Sequence, residues 1–280
     1  MSDYQLISER IAAYGRYLRR EEHAPGTIDK YLRDVRAFAA WLDGRAVTQE
    51  LAAAWKHHLL DTGHAPCTVN SMLAALNSLF RFLDWSIRIR FLKIQRRMFR
   101  DQSRELTKEE FDRLVSTARD AGRERMALLL ETMGGTGIRV SEVKYITVEA
   151  ARQGRAEIAL KGKIRVILLT NKLCRKLLKY AHKNKIASGE IFITRSGKGM
   201  SRRQIWAEMK SLCKAAGVDS RKVYPHNIRH LFARIFYKAG RDIARLADVL
   251  GHSSIETTRI YLVTTGAEHS RQLERLGLVS

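Results

Sequence analysis

The sequence has few cysteines and no long apolar run. Its 280 residues include three cysteines, Cys67, Cys174 and Cys213, which lie far apart and form no Cys-x-x-Cys pair. An odd number of separated thiols argues against a disulfide framework and against a zinc ribbon. No apolar stretch approaches the roughly 20 residues that cross a bilayer, and the N-terminus lacks the apolar core of a signal peptide. We therefore expect a soluble, cytoplasmic protein with reduced thiols and no membrane partner.

Acidic residues are also scarce. The chain has 29 Asp and Glu against 51 Lys and Arg, a formal net charge of +22 at pH 7. Like charges repel across a compact surface, so this excess does not serve folding. It is typical of a protein with a polyanionic partner, of which nucleic acid is the first candidate. An aromatic motif of the kind that binds RNA is absent, so double-stranded DNA is the expected partner.

The first part of the chain is predicted to be a helical bundle, with a domain at about 1–86. Apolar residues at helical spacing predict four segments, which are, in chain order, about 4–20, about 28–43, Thr48 to near Gly63, and Thr68 to about Leu83. Thr27 and Thr68 are placed as N-caps of the second and fourth helices. Four helices with short turns are enough for a small domain.

A basic linker is predicted at 87–106. Residues 86–106 contain seven basic and two acidic side chains, and apolar residues alternate with basic ones only at the start. One interpretation is a solvated edge strand followed by an ordinary connection. The other is an extended linker that follows a phosphate backbone, and the sign of the charge favours it.

The region 107–280 is predicted to be mostly helical with a small sheet inserted. Thr107 and Glu110 match a capping box. Two β-rich runs around Lys-Gly-Lys predict a hairpin over 156–169. The helices are expected at about 108–120, 122–134, 171–184, 201–216, 226–238, 241–249 and 254–262. Ser253 and Glu256 match a second capping box, so a helix should begin directly after His252.

Several basic and hydroxylic residues occur in a fixed order within this region. Taken one by one, each is more often a surface ion pair, a solvated lysine or a core tyrosine than part of a site. In chain order they are Arg139, Glu142, Lys161 or Lys163, His226, Arg229, His252 and Tyr261. His226 and Arg229 are three residues apart and therefore share one helix face.

The ordered set and its surroundings resemble the tyrosine recombinase (phage integrase) family. TGIRVSEV is similar to the first arginine box of the family, PHNIRHLFA to the second, and LGHSSIETTRIYLVT to the third. The resemblance covers about 105–265. It implies a mostly α fold, with an N-terminal SAM-like core-binding helical bundle and an α+β catalytic domain. It also implies site-specific DNA recombination or integration, as found in prokaryotes, phages and mobile elements.

The resemblance implies a role for each residue of the set. Tyr261 attacks a DNA phosphodiester, the 5′-oxygen leaves, and a 3′-phosphotyrosyl link remains. Arg139 and Arg229 hold the phosphate, since guanidinium forks bind two oxygens at once and stay charged. His226 and His252 donate hydrogen bonds to it, and Glu142 supports an arginine or a histidine.

Neither a metal nor a cofactor is expected in this chemistry. The two arginines supply positive charge at the phosphate, and no carboxylate cluster suited to magnesium lies near the motifs. The phosphotyrosyl link keeps the energy of the broken bond. Religation therefore needs no ATP, in agreement with the absence of a G-x-x-x-x-G-K-[ST] motif.

The lysine of the set has two candidates. The family hairpin often reads Gly-Lys-Gly-x-Lys and ends with a proline, whereas this chain reads Leu160-Lys161-Gly162-Lys163 without that proline. Lys161 precedes the turn glycine as in the family and is the preferred general acid for the leaving oxygen. Lys163 is the alternative.

The family resemblance also implies assembly of four protomers on DNA. Within the tail 267–280, a short helix with an apolar side is predicted from about Ala267 to Leu276, too short to be stable alone. It either folds back on its own domain or docks on the neighbouring protomer. Two other functions are compatible with this sequence: that of a type IB topoisomerase, which shares the chemistry but acts as a monomer, and that of a DNA-binding protein without activity.

Overall fold

One cluster of buried apolar residues lies in the N-terminal part of the described chain, and two lie in the C-terminal part. The computed structural model describes residues 4–94, 102–160, 163–252 and 254–262. The chain separates into two compact units, Met1–Arg96 and Arg97–Ser280. Within the described residues no helix is long and apolar enough to cross a membrane.

The first unit is the predicted helical bundle. Its four helices are α1 (Ser8–Arg20), α2 (Pro25–Leu42), α3 (Gln49–Asp61) and α4 (Pro66–Phe82). Their apolar faces meet in one core, in which Tyr14, Phe38 and Phe80 are fully buried. Helical spacing of apolar residues was therefore sufficient to predict all four.

Two of the predicted N-caps are wrong. The second helix begins at Pro25 with Ala24 as N-cap, and the fourth begins at Pro66 with Ala65 as N-cap. Proline is favoured at the first position of a helix because its fixed φ suits the turn and its missing N–H is not needed there. Thr27 and Thr68 consequently lie inside the first turn. Thr48 does cap α3, accepting a hydrogen bond from the backbone N–H of Leu51 at 3.2 Å.

The start of the predicted linker is held against the first unit. The side-chain amide of Asn77 both donates to the carbonyl of Ile89 and accepts from its N–H, each at 2.9 Å. Asn70 pairs with Leu92 in the same two-way manner, at 2.9 and 2.8 Å. These amides make the backbone hydrogen bonds that a neighbouring strand would otherwise make, so the segment stays extended. Its side chains therefore alternate: Ile87 and Ile89 are buried, and Arg88 and Arg90 are exposed.

The second unit is mostly helical and contains one hairpin, as predicted. Its helices are α5 (Lys108–Asp120), α6 (Glu124–Thr136), α7 (Val148–Gln153), α8 (Asn171–Lys183), α9 (Arg202–Lys210), α10 (Pro225–Gly240), α11 (Ile243–Leu250) and α12 (Ile255–Arg259). Its strands are β1 (Arg155–Leu160) and β2 (Lys163–Leu168), which pair antiparallel. The capping box at Thr107 and Glu110 is confirmed. Helix α9 is shorter than predicted, and α7 was not predicted.

Candidate functional site

The first arginine box forms a tight turn after α6. Gly137 ends the helix in the left-handed region, at φ 63°, and a Cβ there would lie 2.4 Å from the ring of Phe232. A 3₁₀ turn over Val140–Tyr145 follows. It folds the carboxylate of Glu142 back onto Arg139, accepting from its backbone N–H and from its guanidinium, each at 2.8 Å.

Glu142 is shared by two arginines. The carboxylate is buried, with its side chain 1% exposed, and it also accepts from the guanidinium of Arg165 on β2 at 2.9 Å. Burial alone would raise the pKa of Glu142. The hydrogen bonds from Arg139 and the charges of both arginines outweigh burial, so its pKa is lowered below the usual range. Glu142 is therefore ionised at neutral pH and holds the two guanidinium groups together.

Arg229 is buried at the centre of the site. Helix α10 places it with 1% exposure, and its guanidinium donates to the carbonyl of Gly137 at 2.6 Å and to that of Leu250 at 2.7 Å. Burial, followed by the positive charge of Arg139, lowers its pKa to about 10, while its interaction with the Tyr261 side chain opposes that shift. Arg229 still carries its charge at pH 7.

The C-terminal end of α11 anchors two of these arginines. Arg165 donates to the carbonyl of Val249 and Arg229 to that of Leu250, both at 2.7 Å. These are helix-terminal carbonyls without intrahelical partners, and the negative end of the helix dipole favours cations there. Gly251 then turns into the left-handed region, at φ 64°, with a hypothetical Cβ only 2.3 Å from Cδ of Arg165.

His252 follows directly from this turn. Its backbone N–H donates to the carbonyl of Ala247 at 3.0 Å. This hydrogen bond completes the C-cap of α11 and fixes the backbone from which the imidazole ring extends. Nε2 lies 2.9 Å from Nη2 of Arg229, and Nδ1 lies 2.8 Å from Oγ1 of Thr258. Burial and then the charge of Arg229 lower the pKa of His252 to about 4, so the ring is neutral at pH 7.

Tyr261 lies beside three histidine rings. The tyrosine is in a 3₁₀ turn, Ile260–Leu262, after α12 and is 5% exposed. Its ring centroid is 4.3 Å from that of His230, 5.4 Å from that of His252 and 5.7 Å from that of His226. His226 itself is exposed. The structure therefore brings Tyr261 together with both histidines of the predicted set and with Arg229.

The cap before this segment differs from the prediction. Ser253 lies outside the described residues, and Ser254 is the N-cap of α12. With an extended backbone, Ser254 directs its hydroxyl to the N–H of Glu256, at 3.2 Å. Helix α12 is also only five residues long, so Tyr261 lies just beyond it.

The structure does not decide between the two candidate lysines. Lys161 lies outside the described residues, and of Lys163 only the backbone is described, at the start of β2. The choice between them stays a prediction, as does the helix from about Ala267 to Leu276, which also lies outside the described residues.

Sequence reasoning missed Arg165 and His230. Arg165 is two residues after Lys163 on a strand, so the alternation of side chains in β2 is the signal that could have placed it on the lysine's face. His230 is 9% exposed and lies one residue after Arg229, inside the PHNIRH motif. Its adjacency to the motif was visible, but its packing against Tyr261 depends on the folding of the last helices.

The described site is strongly positive. Arg139, Arg165 and Arg229 are here called the arginine cluster. Arg139 and Arg165 share the carboxylate of Glu142, whereas Arg229 donates to two backbone carbonyls, so the cluster keeps a formal excess of positive charge. Such an excess is unfavourable in a buried site and becomes favourable when an anion binds. Within the described part of the chain, no group of three or more His, Cys, Asp or Glu side chains could hold a metal ion.

Two sequence families match this chain. The family described as Phage integrase family matches residues 104–267, and the one described as Phage integrase, N-terminal SAM-like domain matches residues 11–86. The first contains the arginine cluster, the histidines and Tyr261. The second contains most of the helical bundle.

Curated relatives match over almost their whole length. The chain is 30% identical over 277 residues to the tyrosine recombinase XerA of Thermococcus kodakarensis, which covers 95% of this chain and 94% of the relative. It is 32% identical over 269 residues to the tyrosine recombinase XerD of Brucella melitensis, with 85% of this chain and 86% of the relative covered.

Solved structures share the fold. The XerH recombinase in a post-cleavage complex with a palindromic difH substrate has a TM-score of 0.73 and 18% identity, over 90% of this chain and 79% of that chain. A lambda integrase dimer bound to a COC′ core site also has a TM-score of 0.73 and 18% identity, over 92% of this chain and 95% of that chain.

Proposed function

Because this chain belongs to the tyrosine recombinase (phage integrase) family, we propose that it cuts and rejoins DNA with Tyr261 as the nucleophile. Site-specific recombination by tyrosine-mediated breaking and rejoining of DNA is its activity. The observation that carries the assignment of the residue is the contact of Tyr261 with the rings of His226 and His252 and with Arg229.

The arginines supply the positive charge that the reaction needs. A phosphodiester is already anionic and gains a second charge as the pentavalent transition state forms. Arg139 and Arg229 bind its oxygens, and in phosphoryl transfer one such arginine contributes about 10³–10⁵ in rate. Glu142, held by Arg139 and Arg165, orients the first arginine without neutralising the whole cluster.

Two proton transfers accompany the attack. Free tyrosine is a poor nucleophile at neutral pH, because its hydroxyl is protonated. His226 lies beside Tyr261, is exposed, and accepts the tyrosine proton. Lys161, or Lys163 in its place, protonates the leaving 5′-oxygen. His252 donates a hydrogen bond to a phosphate oxygen.

Binding and assembly use the rest of the chain. Double-stranded DNA is the partner, and the basic residues of 87–106 follow its phosphate backbone. Four protomers form the synapse, with residues 267–280 docked on the neighbouring protomer, so that the interfaces close into a ring. The protein acts on the DNA of the nucleoid in a prokaryotic cytoplasm, or on that of a mobile element.

Trapping of the covalent complex tests this function. The protein is incubated with sheared genomic DNA in excess EDTA, and denatured adducts are digested and analysed by mass spectrometry and by sequencing of the attached ends. We expect nucleotides linked to the peptide that contains Tyr261, at a recurring DNA sequence. Adducts that need magnesium, or nucleotides on another residue, would overturn the proposal.

A topoisomerase activity would give a different result in a second assay. Two labelled duplexes that carry the recovered site should be joined in one protein complex and should exchange strands. Relaxation of supercoiled DNA by monomers at many sequences, without exchange between duplexes, would indicate a type IB topoisomerase instead.

A further inference from the structure

The hydroxyl of Thr258 is a fully buried partner of His252. Thr258 is on α12, has 0% exposure, and places Oγ1 2.8 Å from Nδ1 of His252. The neighbouring Thr257, on the same helix, is exposed. Threonine lowers helix propensity slightly, so its burial here is explained better by the hydrogen bond than by the helix.

The contacts of His252 define its tautomer. A guanidinium only donates hydrogen bonds, so Nε2, 2.9 Å from Nη2 of Arg229, is the acceptor. The ring is neutral at pH 7 because of burial and the positive charges that face it from Arg229, Arg139 and Arg165. The single ring proton is therefore on Nδ1, which donates to Oγ1 of Thr258.

This resting tautomer is not the one that the reaction needs. The role proposed for His252 is donation to a phosphate oxygen. Nε2 is the nitrogen that faces Arg229, and it carries no proton in the resting site. Both N–H groups of Nη2 of Arg229 are also occupied, by Leu250 and by His252. A phosphate that binds at Nη2 therefore takes the place of the Arg229–His252 contact.

We propose that Thr258 is a positioning residue that holds the His252 ring in place while the ring changes tautomer. A hydroxyl both donates and accepts. In the resting site it accepts from Nδ1–H. When phosphate binds, it donates to Nδ1, and Nε2–H is then directed at the phosphate. Nδ1 releases its proton to solvent water and Nε2 takes one up from solvent water, which can reach the half-buried ring, so the charge of the ring does not change.

Thr258 also links this ring to the nucleophile. It lies three residues before Tyr261, whose ring stacks on that of His252 with centroids 5.4 Å apart. A shift of α12 that brings Tyr261 to the phosphate therefore moves the hydroxyl that orients the histidine. The inference rests on the proposed function, because it assumes that phosphate binds at Arg229.

Two variants with a matched control test the kinetic consequence. Thr258→Val keeps the shape but removes the hydroxyl, Thr258→Ser keeps the hydroxyl, and Thr257→Val is the control. The substrate is a duplex that carries the site recovered by covalent trapping. For Thr258→Val we expect single-turnover cleavage to slow about 10- to 100-fold with little change in DNA affinity. Thr258→Ser should restore most of the rate, and Thr257→Val should leave it unchanged.

¹⁵N NMR of histidine-labelled protein reports the tautomer of His252, which would not change on DNA binding if Thr258 had only a structural role. The nine histidines are labelled with ¹⁵N in a Tyr261→Phe background to prevent cleavage, and the His252 signal is assigned with His252→Gln. We expect Nδ1–H without DNA and Nε2–H with the duplex. Thr258→Val should lose the second form.

The outcomes separate this inference from the proposed function. An imidazolium in the complex, an unchanged tautomer, or normal cleavage by Thr258→Val would overturn the role of Thr258 while adducts on Tyr261 still form. If wild-type protein forms no adduct on Tyr261, the proposed function itself fails. A Thr258→Ser protein as slow as Thr258→Val would show that the methyl packing matters and not the hydroxyl.

Discussion

Replacing Glu142 by glutamine should strongly destabilise the second unit. The carboxylate is 1% exposed and holds Arg139 and Arg165 at 2.8 and 2.9 Å. Glutamine keeps the shape but loses the charge. The guanidinium of Arg165, whose side chain is 12% exposed, then loses its buried counter-charge, and that of Arg139, whose side chain is 41% exposed, loses its ion pair. Removing one partner of a buried pair typically destabilises by about 3–5 kcal/mol.

A surface carboxylate with similar partners is the matched control. Glu131 also accepts from two cations, Arg119 and Lys176, but its side chain is 23% exposed. Exposed ion pairs contribute at most about 1 kcal/mol. We therefore expect Glu131→Gln to have a small effect. The free energy of unfolding is measured in urea, with hydrogen exchange of peptides from α6 and α8 to report on this unit. Equal losses for the two variants would refute the reasoning.

The difference in the free energy of unfolding between wild type and Glu142→Gln should depend on pH in a defined way. The pKa of Glu142 is lower in the folded protein than its ordinary value of 4.5. Its ionic contribution to stability is therefore complete above that ordinary value and is lost as pH falls through the folded pKa. The difference between wild type and Glu142→Gln should be constant near neutral pH and shrink in acid. A difference that grows as pH falls would contradict the assignment.

Three further perturbations, at Gly251, at Lys161 and in the tail 267–280, test other parts of the second unit, and Gly217 is the control for the first. At Gly217, φ is 59° and nothing lies within 4 Å of a hypothetical Cβ, so we expect Gly217→Ala to cost about 1–2 kcal/mol in urea unfolding. Gly251→Ala should cost about 1–3 kcal/mol more, because its Cβ would meet an arginine side chain; equal losses would show that the close approach is unimportant. Lys161→Ala should slow cleavage of ordinary DNA strongly, and a 5′-bridging sulfur should rescue it; rescue of Lys163→Ala instead would identify the other lysine. Deleting residues 267–280 should leave binding to a single DNA site nearly intact and weaken synapsis and strand exchange; an unchanged complex size on DNA with normal recombination would mean that the tail acts only within its own protomer.

Local patterns predicted the fold to a large extent. The helices follow from the spacing of apolar residues, and the hairpin from two β-rich runs around Lys-Gly-Lys. The errors at Thr27 and Thr68 have one cause. A threonine that can cap a helix was preferred to a proline two residues earlier that can begin one, and the proline determined the start in both cases.

The candidate site could be predicted only in part. The motif order indicated Arg139, His226, Arg229, His252 and Tyr261, which the structure brings together. The contacts that hold them depend on long-range packing. The partners of Arg165 are Glu142, 23 residues before it, and Val249, 84 residues after it. No local pattern indicates such pairs.

The most direct test of the central claim compares two tyrosines of the same hydrophobic cluster. Tyr261 and Tyr237 pack together with Leu246 and Leu250, but only Tyr261 is proposed to attack DNA. On a duplex that carries the recovered site, each Tyr→Phe protein is first checked for binding and then run on a denaturing gel. We predict that Tyr237→Phe forms the covalent adduct, whereas Tyr261→Phe binds the duplex and forms none. A Tyr261→Phe protein that still migrates with labelled DNA under denaturing conditions would contradict the account.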